Sequence, residues 1–245
     1  MTYNPYDNTD FFNKYSQMDR SVKGLSGAGE WKTLEAMLPD FAGKRVLDLG
    51  CGFGWHCQYA AEHGAKTVVG VDISEKMLAV AKSSTNERIQ YLCCPIQEAQ
   101  FEKDSFDVVI SSLAFHYLPS FDEIAEKVSS WLVSGGAFVF SVEHPVFTAQ
   151  GTQDWVYGPD GKILHFPVDL YFYEGQREAC FLGETIMKHH RTLTTYLNGL
   201  LQAGFELTGF AEPQPSAQLL EAVPGMKEEL RRPMMLIVAA RKCSK

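Results

Sequence analysis

The stretch Val46-Leu47-Asp48-Leu49-Gly50-Cys51-Gly52-Phe53-Gly54-Trp55-His56 decides the fold. With Arg45 it opens on an apolar run that reads as a strand, turns at glycines 50, 52 and 54, and enters an Ala-rich segment of helical periodicity that reaches about His63. A strand that turns directly into a helix is the first half of a βαβ unit. Glycine lacks a Cβ, so a ligand can come close to the backbone, and the helix N-terminus beyond carries partial positive charge. An anionic group is therefore expected to dock at this turn. The dinucleotide fingerprint G-x-G-x-x-G would need its third glycine at position 55, which is Trp55, so the spacing disfavours a nicotinamide cofactor.

Working outward, the alternation repeats. Residues 67–72, 89–93, 106–111 and 137–142 read as further strands, and 75–82 as a helix capped by Ser74. Phe121, Ile124, Ala125, Val128 and Leu132 recur at helical spacing in a helix that Gly135-Gly136 is expected to end. From Pro145 to about His190 the regularity fails. Eight aromatic side chains and the turn signal Gly158-Pro159-Asp160-Gly161 fall in that stretch, which reads as a cap inserted between sheet elements. A helix over 192–203 stopped by Gly204, a strand at 205–210, a proline-rich loop without a helix signal and a last strand at 234–240 follow. The final two strands are expected to pair antiparallel at one sheet edge. The fold class is thus α/β, a seven-stranded, mostly parallel sheet with helices on both faces and an inserted cap.

Composition removes several function classes. The 245 residues are 45% apolar and 21% charged, which suits a globular chain. Lys and Arg number 22 against 30 Asp and Glu, and a net charge of −8 has the wrong sign for a protein that neutralises phosphates. No nucleic acid partner is expected. The six cysteines, at 51, 57, 93, 94, 180 and 243, include no CxxC pair, so reduced thiols are expected and no metal site. The first residues lack a basic and then apolar leader, and 234–240 is too short to span a bilayer, so a cytoplasmic chain with no membrane partner is expected.

The glycine stretch resembles motif I of the class I S-adenosylmethionine-dependent methyltransferases, an apolar strand followed by D/E-x-G-x-G-x-G, matched by Asp48, Gly50, Gly52 and Gly54. The second strand closes on Gly70-Val71-Asp72-Ile73-Ser74, similar to the family's segment in which an acid holds the ribose hydroxyls. The run Ser111-Ser112-Leu113-Ala114-Phe115-His116-Tyr117 resembles the segment beside the methionine part of the cofactor. Leu132-Val133-Ser134-Gly135-Gly136-Ala137 is similar to the L-x-P-G-G turn, with Ser134 in place of proline. The resemblance covers about residues 40–142. It implies a Rossmann-like fold, S-adenosyl-L-methionine as cofactor, and contacts from Tyr15, Asp48, Gly50, Cys51, Gly52, Gly54, Asp72, Ile73, Met77, Ile96, Gln97, Ser112 and Leu113. It further implies one domain over 1–245: an N-terminal helical lid (1–39) in which Tyr15 closes the pocket, a cofactor core (40–142), a substrate cap (145–190) and the remainder of the core (191–245). One departure stands out. Where the family often has an acid for the adenine amino group, this chain has Cys94-Pro95-Ile96-Gln97, so adenine recognition would rest on backbone near Ile96 and the Gln97 amide. Met77 serves either as packing for adenine or as ordinary core, and Cys51 as a small loop residue rather than a nucleophile.

A sulfonium methyl is already activated, so such an enzyme chiefly aligns an acceptor and excludes water, and a general base is optional. Three groups lie where the cap would face the cofactor. His116 follows strand four, as a base or as pocket lining. Glu143-His144-Pro145 leaves strand five, with His144 a substrate contact. Lys188-His189-His190-Arg191 is expected to start the helix after the cap, with His190 a second candidate base and Arg191 an anion fork. Two adjacent histidines face different ways, so at most one reaches the pocket. The function expected is transfer of a methyl group to a small organic acceptor, anionic if Arg191 binds it, by in-line displacement. The alternatives are a non-catalytic S-adenosylmethionine-binding sensor or partner protein and an NAD(P)-dependent oxidoreductase.

Overall fold

A computed structural model of the chain describes residues 4–84 and 86–244, so the extreme N-terminus, read above for leader signals, lies partly outside them. The N-terminal segment forms α1 (Thr9–Ser16), α2 (Asp19–Val22) and α3 (Trp31–Met37). Strands and helices then alternate through β1 (Arg45–Leu49), α4 (Trp55–Glu62), β2 (Thr67–Asp72), α5 (Glu75–Ser83), β3 (Ile89–Cys93), β4 (Phe106–Ser112), α6 (Asp122–Trp131) and β5 (Leu132–Glu143). The insertion holds α7 (Pro145–Thr148) and two hairpins, β6 (Val156–Tyr157) with β7 (Ile163–His165) and β8 (Gly175–Phe181) with β9 (Glu184–His190). The chain closes with α8 (Leu193–Gln202), β10 (Phe205–Ala211), α9 (Ala217–Ala222) and β11 (Met235–Lys242).

Seven strands form one sheet in the order β10-β11-β5-β4-β1-β2-β3. β11 runs antiparallel to both its neighbours, and the pairs from β5 across to β3 are parallel. This is a Rossmann-like sheet with an antiparallel end. Period-two alternation sends successive side chains to opposite faces. Leu47, Val109, Phe140 and Val238 pack under α6 and α8, while Val46, Val108, Val139 and Ile237 pack under α3, α4 and α5. The order reverses between β1 and β4, and an open sheet leaves a crevice beyond the carboxyl ends of its strands at such a switch point. Gly50 and Leu113 leave β1 and β4 there.

Four local expectations change. Helix α6 stops at Trp131, because Leu132 already pairs with Phe106 as strand; the ladder then jumps from Phe106/Leu132 to Val108/Ala137. Gly135, at φ +75°, therefore lies in a bulge of β5 and does not cap a helix. The insertion is partly regular: Leu182 and Gly183, both at positive φ, join β8 to β9 in a two-residue turn that matches strand twist. Lys188, His189 and His190 consequently end strand β9 and do not open a helix; Thr192 caps α8, its side chain accepting from the Thr195 N–H. The proline-rich loop carries the short helix α9, capped by Ser216. No helix among the described residues is long and apolar enough to cross a membrane.

Candidate active site

A cavity of about 740 Å³ opens at the switch point, between the strand ends below and the N-terminal segment and the β8–β9 hairpin above. Gly50, Gly52, Asp72, Met77 and Ile96 line one end; His116, Glu143, Phe181, Met187 and Lys188 line the other.

The glycine turn is built by its own hydrogen bonds. Gly50 and Cys51 donate their N–H groups to the Val71 carbonyl at 2.8 and 3.0 Å, Gly52 donates to Asp72 Oδ2 at 2.8 Å, and Gly54 to the Cys51 carbonyl at 2.8 Å. These donors are taken, so the turn offers clearance and not the anion-binding nest its glycines suggested. The clearance is specific. At Gly50, φ +77°, a Cβ would lie 2.4 Å from the Ala114 Cβ, whereas at Gly52, φ +52°, it would meet only the Met77 methyl at 3.9 Å.

Asp48 lies beneath the turn and outside the cavity lining, 1% exposed, with the Cys57 thiol donating to its Oδ2 at 3.2 Å. Burial raises its carboxyl to about 7, the thiol opposing and Asp72 adding to the shift. Cys51 also faces inward, and burial pushes its thiol up to about 11, which keeps it protonated. Gly54 packs against Tyr91. These three predicted contacts support the turn from behind. Asp72 reaches the cavity wall, with Oδ1 accepting from the Ser74 N–H at 2.9 Å as Oδ2 accepts from Gly52. Burial raises its carboxyl, and those two N–H bonds oppose the rise. Ile73, Met77, Ile96, Gln97, Ser112 and Leu113 all line the cavity, as does Tyr15, whose ring meets the Tyr6 ring edge-on at 5.3 Å. Asp7 fastens this N-terminal roof to α5, accepting from Ser74 Oγ at 2.6 Å and the Lys76 N–H at 3.2 Å.

At the far end the structure separates the predicted histidines. His116 is 2% exposed and lines the cavity, and its Nδ1 accepts from the Glu143 N–H at 3.4 Å, which places the ring proton on Nε2. Burial lowers its pKa to about 4, so the ring is neutral at physiological pH. His190 is fully buried outside the lining, one ring nitrogen 2.8 Å from Thr148 Oγ1 and the other 2.8 Å from the Tyr171 carbonyl. Its strand neighbour His189 lines the cavity instead. His144 accepts from the Val146 N–H at 3.0 Å and so caps α7, with Nε2 2.9 Å from Glu212; the following proline at the first helical position was the signal for that role. Arg191 points inward, donating to the carbonyls of Phe115 and Leu118, and offers no fork to the cavity.

Residues unmarked by the motifs complete the walls. Arg20 lines the cavity beside the glycine turn and pairs at 2.8 Å with Glu30, which is 2% exposed. Glu143 carries a three-member network: Lys188 Nζ donates to its Oε1 at 2.6 Å, Gln153 Nε2 donates to its Oε2 at 2.7 Å, and Lys188 also donates to Gln153 Oε1 at 2.9 Å. Burial works against the Glu143 carboxylate, but His116, Lys188 and these hydrogen bonds outweigh it and lower its pKa.

Residues 47–140 match the family model described as a methyltransferase domain. A Listeria monocytogenes protein solved as a candidate S-adenosylmethionine-dependent methyltransferase is 53% identical, with 88% of this chain and 99% of that chain aligned and a TM-score of 0.83. An S-adenosylmethionine-dependent methyltransferase from Mesorhizobium loti is 43% identical, with 89% and 100% aligned and a TM-score of 0.83. An uncharacterized protein of Haemophilus influenzae is 32% identical over 98% of this chain and 97% of its own length, so that likeness extends through the insertion.

Proposed function

The chain belongs to the S-adenosylmethionine-dependent methyltransferases, and from that premise we propose that it methylates a small organic acceptor held between the sheet edge and the β8–β9 hairpin. The observation that carries this reading is the single cavity joining the glycine turn to the Glu143 network. At about 740 Å³ it falls within the range of roughly 300 to 1,000 Å³ usual for small-ligand sites. The N-terminal segment and the β8–β9 hairpin both contribute to its lining, an arrangement better suited to a metabolite than to a polymer. The net charge of −8 also speaks against a nucleic acid acceptor.

The cofactor supplies an electrophilic methyl group on a sulfonium sulfur. The residues present fit it. Gly50 and Gly52 leave the wall without side chains, Asp72 keeps one lone pair on each carboxylate oxygen for ribose hydroxyls, and Met77 and Ile96 offer apolar surface for the base. Backbone near Ile96 and the Gln97 amide serve the adenine edge in place of the acid displaced by Pro95. Arg20, Ser112 and Leu113 stand by the turn for the amino-acid part. Tyr6 and Tyr15 cover the cavity and exclude water, which strengthens every polar contact inside. His116 presents its Nε2–H as a donor that orients an acceptor, and so is not a resting base.

The test is incubation with methyl-labelled S-adenosylmethionine and a cell extract divided into metabolite, RNA and protein fractions. Label should enter the metabolite fraction. Label confined to RNA or protein would refute the acceptor assignment, and tight binding with no labelled product would favour a sensor.

A further inference from the structure

We propose that the acceptor is an uncharged hydroxyl compound with an apolar body, recognised through its O–H by the Glu143–Lys188–Gln153 network; this rests on the methyltransferase reading above. Charge is the first argument. Glu143 and Lys188 are 16% and 4% exposed and 2.6 Å apart, so the polar end of the cavity holds one anion and one cation that cancel. The nearby Arg191 guanidinium lies outside the lining with its N–H groups on the carbonyls of Phe115 and Leu118, which leave its charge in place but occupy its donors, so it makes no direct contact with a ligand here. Among the described residues, the only charged side chains that line this end are paired with each other, so an ion of either sign entering here would leave water without a free counter-charge to touch, and burial of an unpaired charge is strongly unfavourable.

Hydrogen-bond capacity is the second argument. Each Glu143 oxygen accepts one bond and keeps a further lone pair, while Lys188 uses two of its three N–H groups, on Glu143 and Gln153. His116 adds an Nε2–H fixed by the Glu143 N–H at its other nitrogen. The site therefore offers acceptors and donors side by side. A carboxylate only accepts and would face the Glu143 lone pairs; an ammonium only donates and would face the His116 and Lys188 N–H groups. A hydroxyl does both. Phe181, Met187 and Phe147 line the cavity around the network, and they suit an apolar body of aromatic size.

The experiment uses the full chain saturated with S-adenosylhomocysteine and three probes sharing one body: 4-ethylphenol, 4-ethylbenzoate and 4-ethylbenzylamine, with dissociation constants read by calorimetry. The phenol should bind at least tenfold more tightly than either ion. Absent phenol binding, or an ion bound as tightly, overturns the inference. In E143Q the Lys188 charge loses its partner, so preference should swing to 4-ethylbenzoate by at least tenfold; a folded E143Q that still prefers the phenol also overturns it. Should E143Q fail to fold, E143L/K188M removes both charges together and should bind the phenol at least tenfold more weakly than the wild type; an unchanged phenol affinity there counts against recognition by the network. S-adenosylhomocysteine failing to bind the wild type would overturn the methyltransferase reading itself, whereas its binding without discrimination among the probes overturns only this inference.

Discussion

Replacing Asp72 by Asn tests the ribose assignment with little change of shape. The carboxylate is 9% exposed and each oxygen already holds one backbone N–H, from Gly52 at 2.8 Å and Ser74 at 2.9 Å. What remains for a ligand is one lone pair per oxygen, enough for two hydroxyls. Hydrogen bonds to a charged group contribute roughly 1.5–3 kcal/mol each, so two give about 3–6 kcal/mol, of which the Asn carbonyl keeps about 1 as a neutral bond. The net loss is about 2–5 kcal/mol, or roughly 30- to 3,000-fold in affinity at about 1.4 kcal/mol per tenfold. The amide NH₂ also opposes one backbone N–H, so Asp72→Asn should cost about 1–3 kcal/mol of stability. At about 2–4 °C per kcal/mol for a chain of this length, the ligand-free melting temperature should fall by roughly 2–12 °C without loss of cooperativity. Calorimetric titration with S-adenosylhomocysteine below the lowered midpoint separates the two effects. A folded Asp72→Asn protein that binds within threefold of the wild type refutes the assignment.

Two further perturbations follow from the same geometry. Gly50→Ala places a Cβ 2.4 Å from Ala114 at φ +77°, combining overpacking and strain of about 1–3 kcal/mol each, so thermal melts should show a large loss of stability; Gly52→Ala carries the strain of its φ of +52° but no overpacking, with its nearest contact at 3.9 Å, and should lose less stability, stay folded and bind S-adenosylhomocysteine poorly because its methyl enters the cavity. Equal effects of the two on stability would contradict this division. Asp48 titrates near 7 when folded and near 3.9 when unfolded, so between those values the folded chain holds the extra proton and stability falls as pH rises. The contribution is fully present below about pH 4 and lost above about pH 7, roughly 4 kcal/mol across about three units. Urea melts of the wild type and Asp48→Asn at pH 5 and pH 8 should show the gap between them change by much of that amount, and a constant gap would refute the buried protonated carboxyl.

The division between what the sequence reveals and what it conceals follows the range of the interactions involved. The Ser74 cap is legible because it depends on a neighbour three residues away, and the glycine turn and Asp72 because they belong to one strand-helix-strand unit: Gly52 reaches Asp72, 20 residues on, because β1 and β2 pair in parallel register, Asp48 beside Gly70. Periodicity also shows that α6 exists, but its end at Trp131 is decided by Phe106 pairing with Leu132, a contact between distant segments. The far end of the cavity depends wholly on such contacts. Lys188 meets Glu143 across 45 residues because the Leu182-Gly183 turn folds β9 back over the sheet edge, and no local pattern in 145–190 encodes where that hairpin lands. Chemical reactivity alone then selects from each local group the member that lies outside the cavity lining, His144 beside Glu143 and His190 beside His189. Backbone position decides instead: Pro145 makes His144 a helix cap, and Thr148 with the Tyr171 carbonyl satisfies both nitrogens of His190. A histidine whose two nitrogens are both bonded within the fold has no vacancy for a substrate, whereas Glu143, bonded once at each oxygen, still has two.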